Sequence, residues 1–318
     1  MTATFQLVGR RLLQLPVMVL GITFLVFVVM SFSKVDPAIT ALGESSSLED
    51  RQAYRDALGL DDPLLVRYIA FLGGLLQGDI GTYSARQLPV LDEVARAFPI
   101  TIQLTFLGLL IAVLGATLLG IIAAVFRDRW PDQLIRLVSI ASLSTPSFWL
   151  AVLLIQLFTL QLNVLPASGA LPPLTEDPGG WLARMALPAL ALAVPVIGQL
   201  SRVVRSAMVE ELDRDYVRTA LGAGVPRVIV IGRNVLRNAL ITPVTVLGLR
   251  IGYLIGGAVV IEIIFALPGM GTLILNGVTN NEPNLVQGVT LVVALAFVVI
   301  NVIVDLLYVL INPRIRSV

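Results

Sequence analysis

Residues 208–245 read MVEELDRDYVRTALGAGVPRVIVIGRNVLRNALITPVT, an arginine-studded block set between two apolar runs long enough to cross a bilayer. Asp213 or Asp215 can cap a short helix from Arg214 to about Leu221. Within it Val217, Ala220 and Leu221 fall at i, i+3 and i+4 and make one small apolar ridge; Arg214 and Arg218 lie a turn apart on another face. Gly222 and Gly224 end the helix, and Gly224 can take a positive φ at little cost. Pro226 suits the start of a second helix that runs on into the next apolar stretch. The expected object is a short helix held between two membrane helices, projecting into water and able to move as a rigid body. The pattern alone fits a merely solvated basic loop equally well.

Composition sets the class. Of 318 residues, 57% are hydrophobic and 14% are charged, with a mean hydropathy of +0.90. Soluble domains carry about 25% charged residues. The deficit points to an all-α, polytopic membrane protein with lipid facing much of its surface. A net charge of +1 offers no basic field for nucleic acid. With neither Cys nor His, thiol chemistry, disulfides, Cys/His metal sites and His-based triads are excluded. The only lysine, Lys34, is followed by Val35, so there is no Gly-Lys-Ser/Thr phosphate loop. If transport uses ATP, another chain must hydrolyse it.

Six runs are expected to span the membrane: residues 12–33, 97–126, about 137–160 with Pro146 inside, 189 to about 208, about 239–265 and about 285–311. A signal peptide is the rival reading of the first. Its apolar core would be only about 7–15 residues, and Ser-Phe-Ser-Lys-Val-Asp-Pro is a poor cleavage site, so the run reads as an uncleaved span. Residues 34–96 hold 10 of the 21 acidic side chains. There Ser47 can cap a helix over 48–58 stopped by Gly59, and Asp62-Pro63 supplies an N-cap and first position for a helix over 64–76. Leu64, Leu65, Tyr68, Phe71, Leu72 and Leu75 share one face of the latter, which predicts that it lies on the membrane surface or on the bundle. Residues 78–82 form a turn, and Pro89 starts a third short helix that ends near Pro99. Residues 163–188 and 266–282 read as Pro-, Gly- or Asn-rich loops.

Six spans put both termini on one side, and positive charge decides which. Arg10 and Arg11, then Arg127, Arg129 and Arg136, then the arginines from Arg202 to Arg237, then Arg314 and Arg316 fall on the N-terminal side. The opposite side has fewer, nearly all in the long loop over residues 34–96. Both termini and the 208–245 block are therefore expected in the cytoplasm.

The block resembles the cytoplasmic EAA loop of ABC importer permeases: Glu-Ala-Ala, three residues, Gly, nine residues, Ile-x-Leu-Pro. Arg218-Thr219-Ala220 occupies the first triplet, Gly224 has the expected spacing, and Asn234-Val235-Leu236-Arg237 stands at the last motif. These departures are those of the peptide/nickel (DppB/OppB-type) subfamily, which Asp215-Tyr216-Val217-Arg218-Thr219-Ala220 and Leu236-Arg237-Asn238-Ala239-Leu240 match. Leu221, Gly222 and Ala223 depart from the charged residues often found there. Gly59-Leu-Asp-Asp-Pro-Leu with Gly78-Asp-Ile-Gly-Thr, Gly256 to Phe265 with Pro268-Gly-Met-Gly271, and Val286-Gln-Gly with Val304-Asp-Leu-Leu-Tyr and Asn312-Pro-Arg-Ile-Arg resemble the same subfamily, in order along nearly the whole chain.

The resemblance implies a binding-protein-dependent inner-membrane component with a MetI-like permease core over residues 100–318. An extra first helix and long external loop would make up residues 1–99, and residues 209–238 would form the coupling loop. It implies a bacterial plasma-membrane assembly in which a second, DppC/OppC-type permease shares the pore. Two ATP-binding subunits hold ATP and Mg, and an extracytoplasmic substrate-binding protein delivers short peptides. The subfamily also resembles importers of nickel chelates, haem, glutathione and other small solutes. This chain would be no enzyme. Asp215, Tyr216, Val217, Arg218, Thr219, Ala220, Gly224, Asn234, Leu236 and Arg237 would transmit ATPase closure to the pore in an alternating-access cycle.

Arg250 lies mid-span, where a charge costs roughly 2.5–3.5 kcal/mol and faces protein or water. It either lines the pathway and attracts a carboxylate or makes a structural ion pair. Glu262, near the outer end of the fifth span, is read as meeting the partner or a gate; Asp305, in the sixth, as a packing or interface charge. Gly252, Gly256 and Gly257 read as close helix packing. A secondary transporter or channel is the alternative class. It predicts inverted repeats and midplane carboxylates, and the sequence shows no convincing repeat and few membrane acids. An intramembrane enzyme lacks paired membrane aspartates as well as His and Cys.

Overall fold

The computed structural model describes residues 2–32, 36–43, 45–57, 59–84 and 88–311; for residues 2–15, 40, 41, 249 and 304–311 only the backbone is described. In chain order the elements are α1 (Thr2–Ser31), α2 (Pro37–Leu42), α3 (Leu48–Ala57), α4 (Leu64–Leu76), β1 (Thr82–Tyr83), β2 (Leu88–Pro89) and α5 (Val90–Val125). There follow α6 (Trp130–Ser144), α7 (Ser147–Leu154) with a π-helical continuation Ile155–Gln161, α8 (Pro178–Leu212) and α9 (Asp215–Gly222). Then come α10 (Arg227–Ile229), a π-helical turn Val230–Val235, α11 (Leu236–Ala239), α12 (Ile241–Ile264), α13 (Met270–Thr279) and α14 (Pro283–Ile311). Strands β1 and β2 pair antiparallel, Thr82 opposite Pro89 and Tyr83 opposite Leu88.

Among the described residues, three helices are individually long and apolar enough to cross a membrane: α5, α8 and Pro283–Ile303 of α14. The bent pairs α6/α7 and Ile241–Gly248/Arg250–Ile264 raise the number to as many as five. In α1 the apolar stretch Pro16–Ser31 is shorter. The run expected to cross as one span over 137–160 is broken. Helix α6 stops at Ser144, Thr145 is extended, Pro146 caps α7, and the two axes meet at 105°. A residue before proline is pushed out of the helical region, so apolarity carries on where the helix cannot.

The chain forms two compact units. The first comprises the described residues up to Thr101 with Leu267–Val299. Ser47 caps α3 as its sequence requires, its Oγ accepting from the Asp50 N–H at 3.0 Å. Helix α4 seats on α1 through Tyr68, whose hydroxyl donates to the Leu20 carbonyl at 2.9 Å and lies 3.0 Å from Thr23 Oγ1. The Tyr68 ring meets Phe24 and Phe27 edge-on. Val90, Val94, Met270, Leu285 and Val289 form the buried core.

Three expectations fail in this unit. Asp62 does not cap α4; Pro63 stands at the cap with no side-chain bond. The helix begun after Pro89 runs through Pro99 as part of α5, because the apolar run that follows rewards continuation despite the missing N–H. Residues 266–282 are no simple loop but contain α13, whose Gly269 and Asn280 mark its ends.

The second unit comprises Ile102–Ala266 and residues from Ile300 on. Its axis is α8, against which α6, α7 and α12 pack. Approach is close enough to require small residues: a Cβ on Gly120 would lie 2.5 Å from Val204, and one on Gly198 would lie 2.8 Å from the Ser139 carbonyl. Ser139 and Ser201 hydroxyls meet at 3.0 Å across the α6–α8 contact. The loop expected over 163–188 ends early, because Asp177 caps α8 by accepting from the Gly180 N–H at 2.8 Å and Pro178 fills the first position. Thirty-five residues make α8 about 52 Å long at about 1.5 Å per residue, well beyond a hydrocarbon core of about 30 Å.

Candidate functional site

The overhang of α8 leads into the 208–245 block. Asp213 closes α8, and Arg214, extended at φ −70° and ψ 147°, stands at the N-cap of α9 without a side-chain cap bond. Neither aspartate caps α9 as the sequence suggests. The Asp213 carboxylate is 2.9 Å from the Arg127 guanidinium, which holds it against the end of α5, while Asp215 sits inside the first helical turn, a favourable end of the dipole for an anion.

One face of α9 is anchored. Val217, 4% exposed, belongs to a cluster with Ala124 of α5, Val204 and Met208 of α8, and Val230, Val235 and Ala239 beyond α9. Tyr216 and Ala220 flank it. The Tyr216 hydroxyl donates to Glu211 Oε2 at 2.8 Å and accepts from Asn238 Nδ2 at 3.4 Å, which ties α8, α9 and α11 together. Burial first, and then the Glu211 bond, push the phenol above its usual pKa. Leu221, expected on the buried ridge, is exposed and borders a cleft of about 330 Å³ with Arg127, Leu212 and Arg227.

The opposite face is open. The Asp215 side chain is 98% exposed and that of Arg218 is 77% exposed, their 3.8 Å pair lying in water where it adds little. Thr219 is exposed beside them, its Oγ1 donating to the Asp215 carbonyl at 3.1 Å. Gly224 then turns the chain at φ +80°. The Val225 N–H bonds the Ala220 carbonyl at 3.1 Å and the Gly224 N–H bonds that of Leu221 at 3.0 Å, a complete Schellman stop. Pro226 begins α10, and the chain returns through the π turn, a widening frequent at functional sites. Asn234 and Leu236 are half-buried there and Arg237 is exposed.

The charges placed in the spans do not converge. Arg250 is half-buried in α12 and makes no hydrogen bond or ion pair with a described residue. Glu262, fully buried, stands twelve positions on, about 18 Å along the axis. The side chain of Asp305 lies outside the described residues.

Two buried charges escape sequence reading. Asp132 is 0% exposed and receives two bonds of 2.6 Å from Arg205 and one of 2.9 Å from the Asp128 N–H, with Arg136 at 3.6 Å. This fork fixes α6 to the lower half of α8. Its partners are too far apart in sequence for any periodic signal. Arg184 is buried near the start of α8 and donates to the carbonyls of Ala167, Gly169 and Phe265, the last ending α12. A cation at that C-terminus complements the helix dipole.

Long apolar helices, with a short helix whose one face is buried against α5 and α8 and whose other face is exposed, are the architecture of a polytopic membrane-transport component. The sequence profile of binding-protein-dependent transport system inner membrane components matches residues 116–317, and that of their N-terminal region matches residues 4–105. The chain belongs to this family, the permease subunits of ABC importers. It is 40% identical over 98% of its length to a Brucella abortus (strain 2308) protein that carries the name of a peptide transport system permease, 98% of which is covered. It is 38% identical over 98% of its length to an Escherichia coli K12 protein named for D,D-dipeptide transport, 97% covered. It is also 38% identical over 96% of its length to a glutathione transport system permease protein of Salmonella paratyphi A, 97% covered.

Proposed function

We propose that this chain forms half of the pore of an ATP-driven importer of short peptides in a bacterial inner membrane. A second, homologous permease completes the pore, two cytoplasmic ATP-binding subunits bind ATP and Mg, and an extracytoplasmic binding protein delivers the ligand. Six crossings with both termini inside fit the arginine distribution, with residues 100–318 as the permease core and residues 1–99 as an added helix and external segment. The observation that carries the reading is the division of α9: Val217 in the core and Arg218 in water. A rod so anchored transmits a push on its free face to α8 and α5 without bending.

Asp215, Arg218 and Thr219 then meet an ATPase groove. Tyr216, Val217, Ala220 and Leu236 pass the motion inward, Gly224 sets the angle of return, and Asn234 and Arg237 lie on the returning limb. Closure of the ATPase pair moves the rod, and the pore alternates between inward and outward access. Glutathione is a second ligand reading, favoured by the likeness to the Salmonella permease, and it is itself a peptide. Proteoliposomes holding the whole assembly test the proposal. ATP-dependent uptake of a dipeptide that Gly224→Asp abolishes, with membrane insertion intact, is expected; equal uptake by the variant sinks it.

A further inference from the structure

In the first unit, two adjoining cavities of about 230 and 270 Å³ share the walls formed by Phe27, Pro37, Leu60, Arg67 and Pro283. Each alone is smaller than the roughly 300–1,000 Å³ of drug-sized ligand sites, a size for a small solute, and Arg67 borders both. Arg67 is half-buried with its guanidinium 5.4 Å from the Phe27 ring centroid, and it has no ion-pair partner among the described residues. Burial is the largest influence on that charge and penalises it, Asp62 and Asp61 offset the penalty in part, and Arg55 adds to it, so the guanidinium can still take an anion. By contrast, the nearby Arg55 is already engaged by Asp36 at 2.8 Å and by Asp61.

The wall of the second cavity carries Gln287, 2% exposed, whose buried Oε1 has no hydrogen-bond partner among the described residues. Buried amides are almost always satisfied, and one left open costs stability unless a ligand or water meets it. The first cavity is acidic. Glu282 is half-buried, its carboxylate accepts the Ser84 N–H at 3.1 Å and no other hydrogen bond among the described residues, and it shares the lining with Asp62 and Asp79.

We propose that these cavities form a binding site for a small zwitterion, a dipeptide with free termini. Its carboxylate meets Arg67, its ammonium meets Glu282, and its single peptide N–H meets the open Gln287 oxygen. The choice of ligand rests on the peptide-import reading; the charge arrangement does not. The site would hold ligand within this chain's own unit, apart from any external binding protein.

Equilibrium binding of radiolabelled dialanine to the assembled membrane complex, without the external binding protein, is the test. Saturable binding is expected, with N-acetyl-dialanine and dialaninamide each about tenfold weaker for the loss of one charged contact. Glu282→Gln should erase the difference between dialanine and its N-acetyl form. Arg67→Gln should erase the difference from dialaninamide, and Arg67→Lys should restore it. Misfolding would weaken every ligand alike and could not produce this crossover. Absence of saturable binding, or blocked peptides binding as well as dialanine, overturns the site. ATP-driven peptide uptake that persists without such binding removes the site and spares the import reading; binding without any uptake does the reverse.

Discussion

Asp132 is the residue on which the second unit's lower end turns. A carboxylate removed from water survives there only because Arg205 grips both oxygens at 2.6 Å. Arg205→Ala leaves the charge buried with the Asp128 N–H and the more distant Arg136 as its remaining partners, and should destabilise the purified protein by about 3 kcal/mol, read from denaturant or thermal unfolding. Arg205→Lys, a point donor without the fork, should recover part of that. In the first unit burial raises Glu282 above its ordinary value of 4.5, against the opposing Ser84 bond. The folded state then holds its proton more tightly than the unfolded chain does. Its contribution to stability is greatest below the ordinary carboxyl range and declines as pH rises through the raised value. Melting temperatures of wild type and Glu282→Gln should agree in acid and diverge, the variant melting higher, as pH is raised from about 4 to about 7.

At the scale of elements, α9 was legible because its signals are local. Val217 and Ala220 at helical spacing and a glycine at the stop specify a short rod, and the Schellman closure at Gly224 is their result. Gly224→Ala should cost about 1–2 kcal/mol in strain, seen as faster amide exchange over residues 215–225 with the rest unchanged. Val217→Asp puts an unpaired charge into the cluster, costs about 3 kcal/mol or more, and should open Arg214 and Arg218 to trypsin. Boundaries were less legible. Pro99 and Pro188 read as boundaries in the sequence, yet α5 and α8 run through them, because in an apolar setting a helix that continues satisfies more backbone groups than one that ends. Pro146 does break its helix. The difference lies in tertiary packing around each proline, which one-dimensional pattern does not carry. The Asp132–Arg205 and Arg184 contacts were invisible for the same reason: each joins segments far apart in the chain.

For the molecule as a whole, the proposed role is mechanical: α9 would be a handle through which separate ATP-binding subunits drive the pore. The class was readable from charge deficit and missing phosphate loop; the family from motifs spread along the chain. The sequence contains no cysteine, so a single introduced thiol reports without background. Thr219→Cys on the open face of α9 and Leu174→Cys in the loop before α8, both exposed, should be compared for cross-linking to the co-purified ATP-binding subunit with a short thiol–amine reagent. The account predicts that Thr219→Cys forms the cross-link, that its yield changes when ATP is added, and that Leu174→Cys forms none. Equal yields from the two positions, or none from Thr219→Cys in an assembly that still hydrolyses ATP and imports peptide, would contradict it.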